Sequence, residues 1–393
     1  HHPRWRVAMA SHLHGEEPHK ILTMTLDEAV IRCGIAKDVQ YAAGLACDIR
    51  SLKDGRMAAI ISLCLTPYLS LYVYESYAKL KTIDPTKAVS LSATVEPIVA
   101  RSRHSLKLFD DNKRGIAGQL TYFRNEILTP HRTSFRRKNF FARLFGADLG
   151  IFRYNTRIIA TTHSLTFNSG VESSVLLSEN GAIIRRIYEE YGRYFAELGA
   201  RLGASGNTFI LSLDPGKFGQ QEEDVRSEKY YQEVFDGPAN PDLNALLTFF
   251  QCLMNFAELV ALGNSGANDY SAFKIRFLTL YQVLTSLRML SNDQSQALSE
   301  RSTKLLTRLV EAAETQLLLS PTARPFRNTL MHYNLVSPID TAIVDVTQPL
   351  FGLVPIYFPG HTPDSFVATV DRHIATVAAG LAEWADSMQT RLV

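Results

Sequence analysis

The sequence is poor in cysteine and in net charge, and both scarcities narrow its chemistry. Four cysteines (Cys33, Cys47, Cys64 and Cys252) stand in 393 residues, with no CxxC spacing among them. That leaves no thiolate frame for zinc, and the apolar helical surroundings of all four predict buried free thiols. There are 41 Lys and Arg against 39 Asp and Glu, a formal net charge of +2. A chain this close to neutral is no bulk polycation, so any nucleic-acid contact has to come from a local patch. A phosphate-cradling glycine motif, an HExxH helix and a GxSxG elbow are all missing, which argues against the chemistries those motifs serve. No metal and no cofactor are expected. No secretory signal is visible, which points to a cytoplasmic protein. The first twenty residues, with His1, His2, His12, His14 and His19, read as a tag or untidy terminus and are set aside from the fold.

What is present is a long series of helical patterns. Thr25-Leu26-Asp27-Glu28 has the form of a capping box and opens a helix to about Leu52. A second helix is expected from about Arg56 to Lys81, kinked near Pro67. Within it, Met57 to Tyr74 is 18 residues without a formal charge, close to the length of a membrane span. Pro67, Ser62, Thr66, Ser70 and three tyrosines interrupt that run, so a helix in an all-α core is expected there and no membrane. A third helix runs from Asp84-Pro85 to about Phe109, and Asp110-Asp111 caps the next. That fourth helix, from about Lys113 to Leu128, should end before Pro130. After shorter elements, a helix from about Glu179 to Leu202 carries Tyr188, Tyr191, Tyr194 and Phe195 near helical spacing.

Turn-rich residues 206–239 read as a linker between an N-terminal unit, 21–205, and a C-terminal one, 240–393. The linker holds one strand-like run, Thr208 to Leu213. In the second unit helices are expected over about 242–262, 270–290 and 297–319, then a short one to His332. Ala342 to Val346 and Leu353 to Phe358 read as short extended pieces, and a last helix runs from about Pro363 to Met388.

Both halves end their helical series on a similar string. The C-terminal copy is Phe326-Arg327-Asn328-Thr329-Leu330-Met331-His332. The N-terminal copy is Phe123-Arg124-Asn125-Glu126-Ile127-Leu128-Thr129-Pro130-His131. An Arg followed at this range by a His arises by chance about twice in such a chain, and Arg6/His12 and Arg157/His163 are examples. The Asn directly after the Arg, and its repetition after Phe at the end of two helical groups, carry the inference.

Arg-Asn-x-x-x-His at the end of a four-helix unit resembles the HEPN superfamily, whose hallmark is Arg, a polar residue and a His after four to six residues. The resemblance rests on these two short motifs. It implies a mainly α fold of two tandem HEPN-like four-helix up-and-down units with a few short strands. It also implies a metal-independent endoribonuclease, a toxin or antiviral defence effector, with RNA as substrate and an inhibitor or activating partner to restrain it. HEPN enzymes usually pair two motifs by forming a homodimer. Here one chain would supply both, with Arg327, Asn328 and His332 across a cleft from Arg124, Asn125 and His131.

The residue types suit cleavage of RNA by its own 2′-OH. A His moves a proton near neutral pH, and an Arg stabilises charge building on the phosphate. Geometry adds two conditions. Arg124 and His131, seven apart, share a face if the helix continues through Pro130; Arg327 and His332, five apart, converge only if theirs loosens near Met331. Beyond His131, a basic segment (Arg132, Arg136, Arg137, Lys138, Arg143) with Phe135, Phe140 and Phe141 interleaved is a candidate RNA-binding strip. Its alternative is an amphipathic piece with solvated charges. Glu75, alone in an apolar helix, is expected as the buried partner of a motif Arg. His163, His361 and His373 read as isolated structural or surface residues. The competing readings are a HEPN-fold protein that binds RNA or a nucleotide without cutting it, and a helical interaction protein. The last requires Arg124 and Arg327 to be buried against carboxylates.

Overall fold

The structure is a computed structural model that describes residues 25–108, 115–138, 147–178, 181–199, 208–219, 222–235, 240–263, 269–336 and 343–386. The His-bearing first twenty residues, Asp110-Asp111 and Arg143 lie outside them. The fold is mainly helical, with one small sheet.

The chain begins with α1 (Leu26–Ser51), opened by the expected capping box, and α2 (Gly55–Ile83), which runs unbroken through Pro67. Asp84-Pro85 opens only a short 3-10 turn, Pro85–Lys87, and the third helix expected from there begins instead at Glu96, as α3 (Glu96–Leu108). Then come α4 (Gly115–Phe123), a π-helical turn (Arg124–Leu128) and α5 (Thr129–Lys138) as one continuous rod. The expected stop before Pro130 does not occur. Proline lacks an N–H and its ring crowds the carbonyl four residues back. The widened turn, in which the Thr129 N–H reaches the Arg124 carbonyl, accommodates it.

Next are β1 (Leu149–Tyr154) and β2 (Arg157–Thr161), which pair as an antiparallel hairpin. Both residues of its turn, Asn155 and Thr156, have positive φ, the backbone that two-residue hairpins require. Short helices α6 (Thr162–Ser169) and α7 (Ser173–Ser178) precede α8 (Ala182–Gly199). Ile183, Ile187, Tyr191, Tyr194 and Leu198 form the buried face of α8. Its tyrosines meet hydroxyls of α2: Tyr188 with Thr66, Tyr191 with Ser70, and Tyr194 with Ser76 at 2.7 Å. Thr66 and Ser70, which interrupt the apolar run, thus face partners inside the protein.

Between the halves, β3 (Glu223–Val225) pairs antiparallel with β1, giving the order β2-β1-β3, and α9 (Ser227–Glu233) follows. The strand expected at Thr208 to Leu213 is instead a 3-10 turn over Phe209–Ser212. Asp48 takes both the N–H and the hydroxyl of Thr208, at 2.7 and 2.6 Å, which ties this segment to α1.

The centre is α10 (Pro241–Ala261) against α11 (Tyr270–Asn292). Every residue from Leu243 to Ala257, and from Tyr270 to Leu287, is buried. Helices buried on all sides are core helices, surrounded by other elements. By length and hydropathy α2 and α10 are long enough to cross a membrane, but 72% and 94% of their most apolar windows are buried inside the fold. Around the centre lie α12 (Glu300–Glu311), α13 (Ala313–Leu318), α14 (Ala323–His332), α15 (Val354–Tyr357) and α16 (Pro363–Ala385). The extended pieces expected near 342–346 and 353–358 are not strands where described. Leu350 and Phe351 take left-handed φ in a 3-10 turn, and Pro355 sits in the first turn of α15. Phe351 packs on Tyr270, and Phe358 stacks on Phe366.

The core is continuous from α1 to α16. At one point it encloses charge: Lys274 of α11 and Asp38 of α1 are fully buried and 2.6 Å apart. Asp38 also accepts from Ser271 at 2.6 Å and from Tyr333 at 2.7 Å. The rings of Tyr72, Tyr270 and Tyr333 surround the ammonium. Burial still lowers the Lys274 pKa, against the opposing pull of Asp38.

Candidate functional site

The C-terminal motif occupies α14, which is regular through His332 and ends on Tyr333 with φ 56°. Phe326 is its anchor, with its ring against Phe277, Phe358 and Phe366. On the same side Arg327 is buried. Its guanidinium donates to Asn328 at 3.0 Å and lies 5.9 Å from the centre of the Tyr281 ring. His332 is five residues on and points elsewhere, as a regular helix dictates. Its Nδ1 is 3.0 Å from the Glu75 carboxylate on α2, and its side chain is partly exposed. The helix does not loosen near Met331, so the structure joins Arg327 to Asn328 and takes His332 to a different neighbour.

That neighbour corrects one expectation. Glu75 is buried, but the partners of its carboxylate are His332 and Arg103. One carboxylate oxygen meets His332 and the other meets Arg103 of α3. Burial raises the Glu75 pKa, but the hydrogen bonds and charges of His332 and Arg103 outweigh it and hold the carboxyl below its usual range. The Arg103 guanidinium also lies over the exposed Tyr74 ring, 4.5 Å from its centre. One turn along α2, Lys79 donates to Asn334 at 2.7 Å. Arg103 and Lys79 carry no motif signal. The only hint in the sequence is a lone Glu ending a long apolar run.

The N-terminal motif sits on the π turn. Arg124 and Asn125 are exposed, and Arg124 forms an ion pair with Asp242 at the start of α10. His131 is buried. Arg124 and His131 therefore do not share a face, although the helix continues. A π turn takes more residues per revolution, so positions seven apart fall out of phase.

His131 meets His163, and the rings cross edge-to-face with centres 4.6 Å apart. His163 is thus not isolated. Its Nδ1 is 2.9 Å from the Tyr231 hydroxyl. Burial lowers the pKa of both imidazoles, and Arg132 lowers both further; Asp148 partly opposes the shift at His131. Asp148 is itself held by the Ser227 N–H at 2.7 Å and hydroxyl at 2.9 Å. Arg132, the first cation of the basic segment, donates to that same hydroxyl at 3.0 Å. Arg136, Arg137 and Lys138 close α5 with side chains outside the described residues.

Of the remaining histidines, His373 is buried with Nε2 2.7 Å from Thr315, and His361 lies edge-on to Phe366. The cysteines are unpaired, with Cys64 and Cys252 buried as expected, Cys33 half-buried and Cys47 exposed. Among the described residues no group of three or more His, Cys, Asp and Glu gathers to hold a metal ion.

The two motifs share a backing. Their helices both meet α11: α4, which leads into Arg124, packs on α10 and α11, and α14 seats Phe326 and Arg327 on Phe277 and Tyr281 of α11. No protein-family model, curated protein or solved structure matches the chain.

Proposed function

We propose that the chain is a HEPN-like endoribonuclease in which the C-terminal motif carries the chemistry and His332 is the proton-transfer group. One observation supports this above the rest. Of the two motif histidines, His332 stays partly exposed; it shares the Glu75 carboxylate with the cation Arg103, and Lys79, one turn of α2 beyond Glu75, bonds Asn334 two residues after His332. A group that exchanges protons with a substrate has to be reachable, and a phosphodiester is drawn to cations.

In the proposed step the RNA 2′-oxygen bonds to phosphorus as its proton passes to water. The bond from phosphorus to O5′ breaks, and O5′ takes a proton from His332. The products are a 2′,3′-cyclic phosphate and a 5′-hydroxyl. By analogy with the superfamily, the biological role is that of a toxin or defence effector under the control of an inhibitor or activating partner. Incubating the purified chain with single-stranded RNA and analysing the new ends tests the chemistry. A single 2′-deoxy substitution at a cleaved position should block cleavage there. Cleavage that persists, or products ending in a 3′-hydroxyl, would rule this step out.

A second reading, RNA binding without cleavage, is favoured by the burial of Arg327. Its guanidinium is spent on Asn328 and the Tyr281 ring instead of facing solvent. Binding of uncut RNA, weakened by Lys79→Ala, would support that reading.

A further inference from the structure

We propose that Glu75 is the positioning residue of His332, fixing the imidazole with its proton on Nδ1 and so making Nε2 the atom that exchanges protons at the site. This deepens the ribonuclease reading and rests on it for the catalytic consequence, but the positioning can be measured without RNA.

The geometry argues for it in three ways. Glu75 is a buried, ionised carboxylate whose oxygens are divided, one for His332 Nδ1 at 3.0 Å and one for Arg103. An ionised carboxylate only accepts hydrogen bonds, so Nδ1 has to donate. The hydrogen bond made by one ring nitrogen decides what the other can do. Arg103 in turn holds Glu75 in place, so the carboxylate is aimed before any substrate arrives.

The backbone under His332 is fixed from the other side. Tyr333, the next residue, donates to Asp38 at 2.7 Å and lies against Gly34. A Cβ at Gly34 would meet the Tyr333 ring at 2.6 Å, so only glycine lets α1 come this close. Among the described residues, the charged groups linked to His332 are Glu75 on α2 and, through Glu75, Arg103 on α3; Lys79 of α2 bonds Asn334, two residues beyond His332. Lys274 of α11 feels Glu75 from behind and is tied to Asp38. Glu75 is the member of this group that touches the imidazole.

The test is a nitrogen-15 NMR measurement of the His332 ring in the whole chain at alkaline pH, where the two nitrogens of a neutral imidazole report which one carries the proton. The wild-type protein should show the proton on Nδ1. Glu75→Met, which removes the acceptor, should move it towards Nε2, the form that free imidazole prefers in water. RNA cleavage should then fall about a hundredfold or more in kcat, with KM changed by about threefold at most. Glu75→Asp, whose carboxylate is one methylene short of Nδ1, should lie between the two. If Glu75→Met loses its helical circular dichroism, the Glu75→Asp protein decides instead. A proton that stays on Nδ1 in a folded variant overturns the proposal, as does a proton on Nε2 in the wild type. A wild-type ring that behaves as expected in a chain that cuts no RNA refutes the ribonuclease reading and leaves the positioning intact.

Discussion

At the N-terminal motif the Arg is outside and the His inside; at the C-terminal motif the order is reversed. The Arg124 side chain is 57% exposed and His131 is 6% exposed. Arg327 is 6% exposed, whereas the His332 side chain is 24% exposed. The strings are nearly the same, so the difference comes from what carries them. A π turn that accommodates Pro130 rotates His131 into the packing between α5, α6 and α9. A regular helix that stops at His332 leaves that residue at its edge. The same three side-chain types therefore present a cation in one place and an imidazole in the other. A motif specifies which groups are available, and the helix geometry beneath it specifies which of them a substrate meets.

The sharpest way to break this comparison is to remove each histidine in turn. His332→Ala should reduce RNA cleavage by about 10²–10⁴-fold with helical content intact. His131→Ala should leave cleavage by the folded protein within about threefold of wild type and lower its melting temperature instead. A folded His131→Ala protein that has lost cleavage would restore the two motifs to equal standing.

The next largest effect concerns the clamp behind the C-terminal motif. Lys274→Met leaves the buried Asp38 carboxyl without its cation, and breaking such a pair costs about 3–5 kcal/mol. Urea unfolding should show it as a lowered midpoint. A loss below about 1 kcal/mol would mean that the Asp38 cluster does not anchor Tyr333.

The buried imidazoles predict a pH dependence that belongs to the N-terminal side. His131 and His163 have folded-state pKa values below the usual 6.5, because burial disfavours their charged forms. Below that unfolded value the unfolded chain binds more protons than the folded one, so stability falls as pH drops. Above it their contribution is complete. Each imidazole adds a slope of at most about 1.4 kcal/mol per pH unit. Urea midpoints taken between pH 7.5 and 5.5 should fall, and His163→Phe should flatten the fall. Equal slopes in the two proteins would show that His163 does not contribute.

The smallest effect is expected at the exposed cation. Arg124→Ala removes a surface ion pair with Asp242, and such pairs are worth about 0–1 kcal/mol. A loss of several kcal/mol would mean that Arg124 holds the rod to α10 more firmly than its exposure implies.

Much of the helical layout was legible in the sequence because it is written in local signals. The Thr25 capping box, the turn at Asp84-Pro85 and the apolar runs of α10 and α11 each act within a few residues. The misses share a physical cause. Thr208 to Leu213 has a strand's composition, but Asp48, 160 positions away, captures Thr208. Pro130 is a stop signal by local rules, yet a π turn absorbs it. The β1–β2 hairpin is short, and its pairing was not read from the sequence. In the candidate site, Arg327, Asn328 and His332 were found by type and order. Arg103 was not, because it comes from another helix and has no spacing relation to the motif.

The sequence by itself determined a mainly helical chain and two Phe-Arg-Asn strings with a histidine downstream, since caps, periodicity and residue order are properties of neighbours along the chain. Only the tertiary structure decided that Glu75 meets both His332 and Arg103, that His131 is packed against His163, and that Lys274 pairs with Asp38. Those contacts join residues 28 to 257 positions apart. Burial and charge pairing across such separations exist only once helices from distant parts of the chain have packed together.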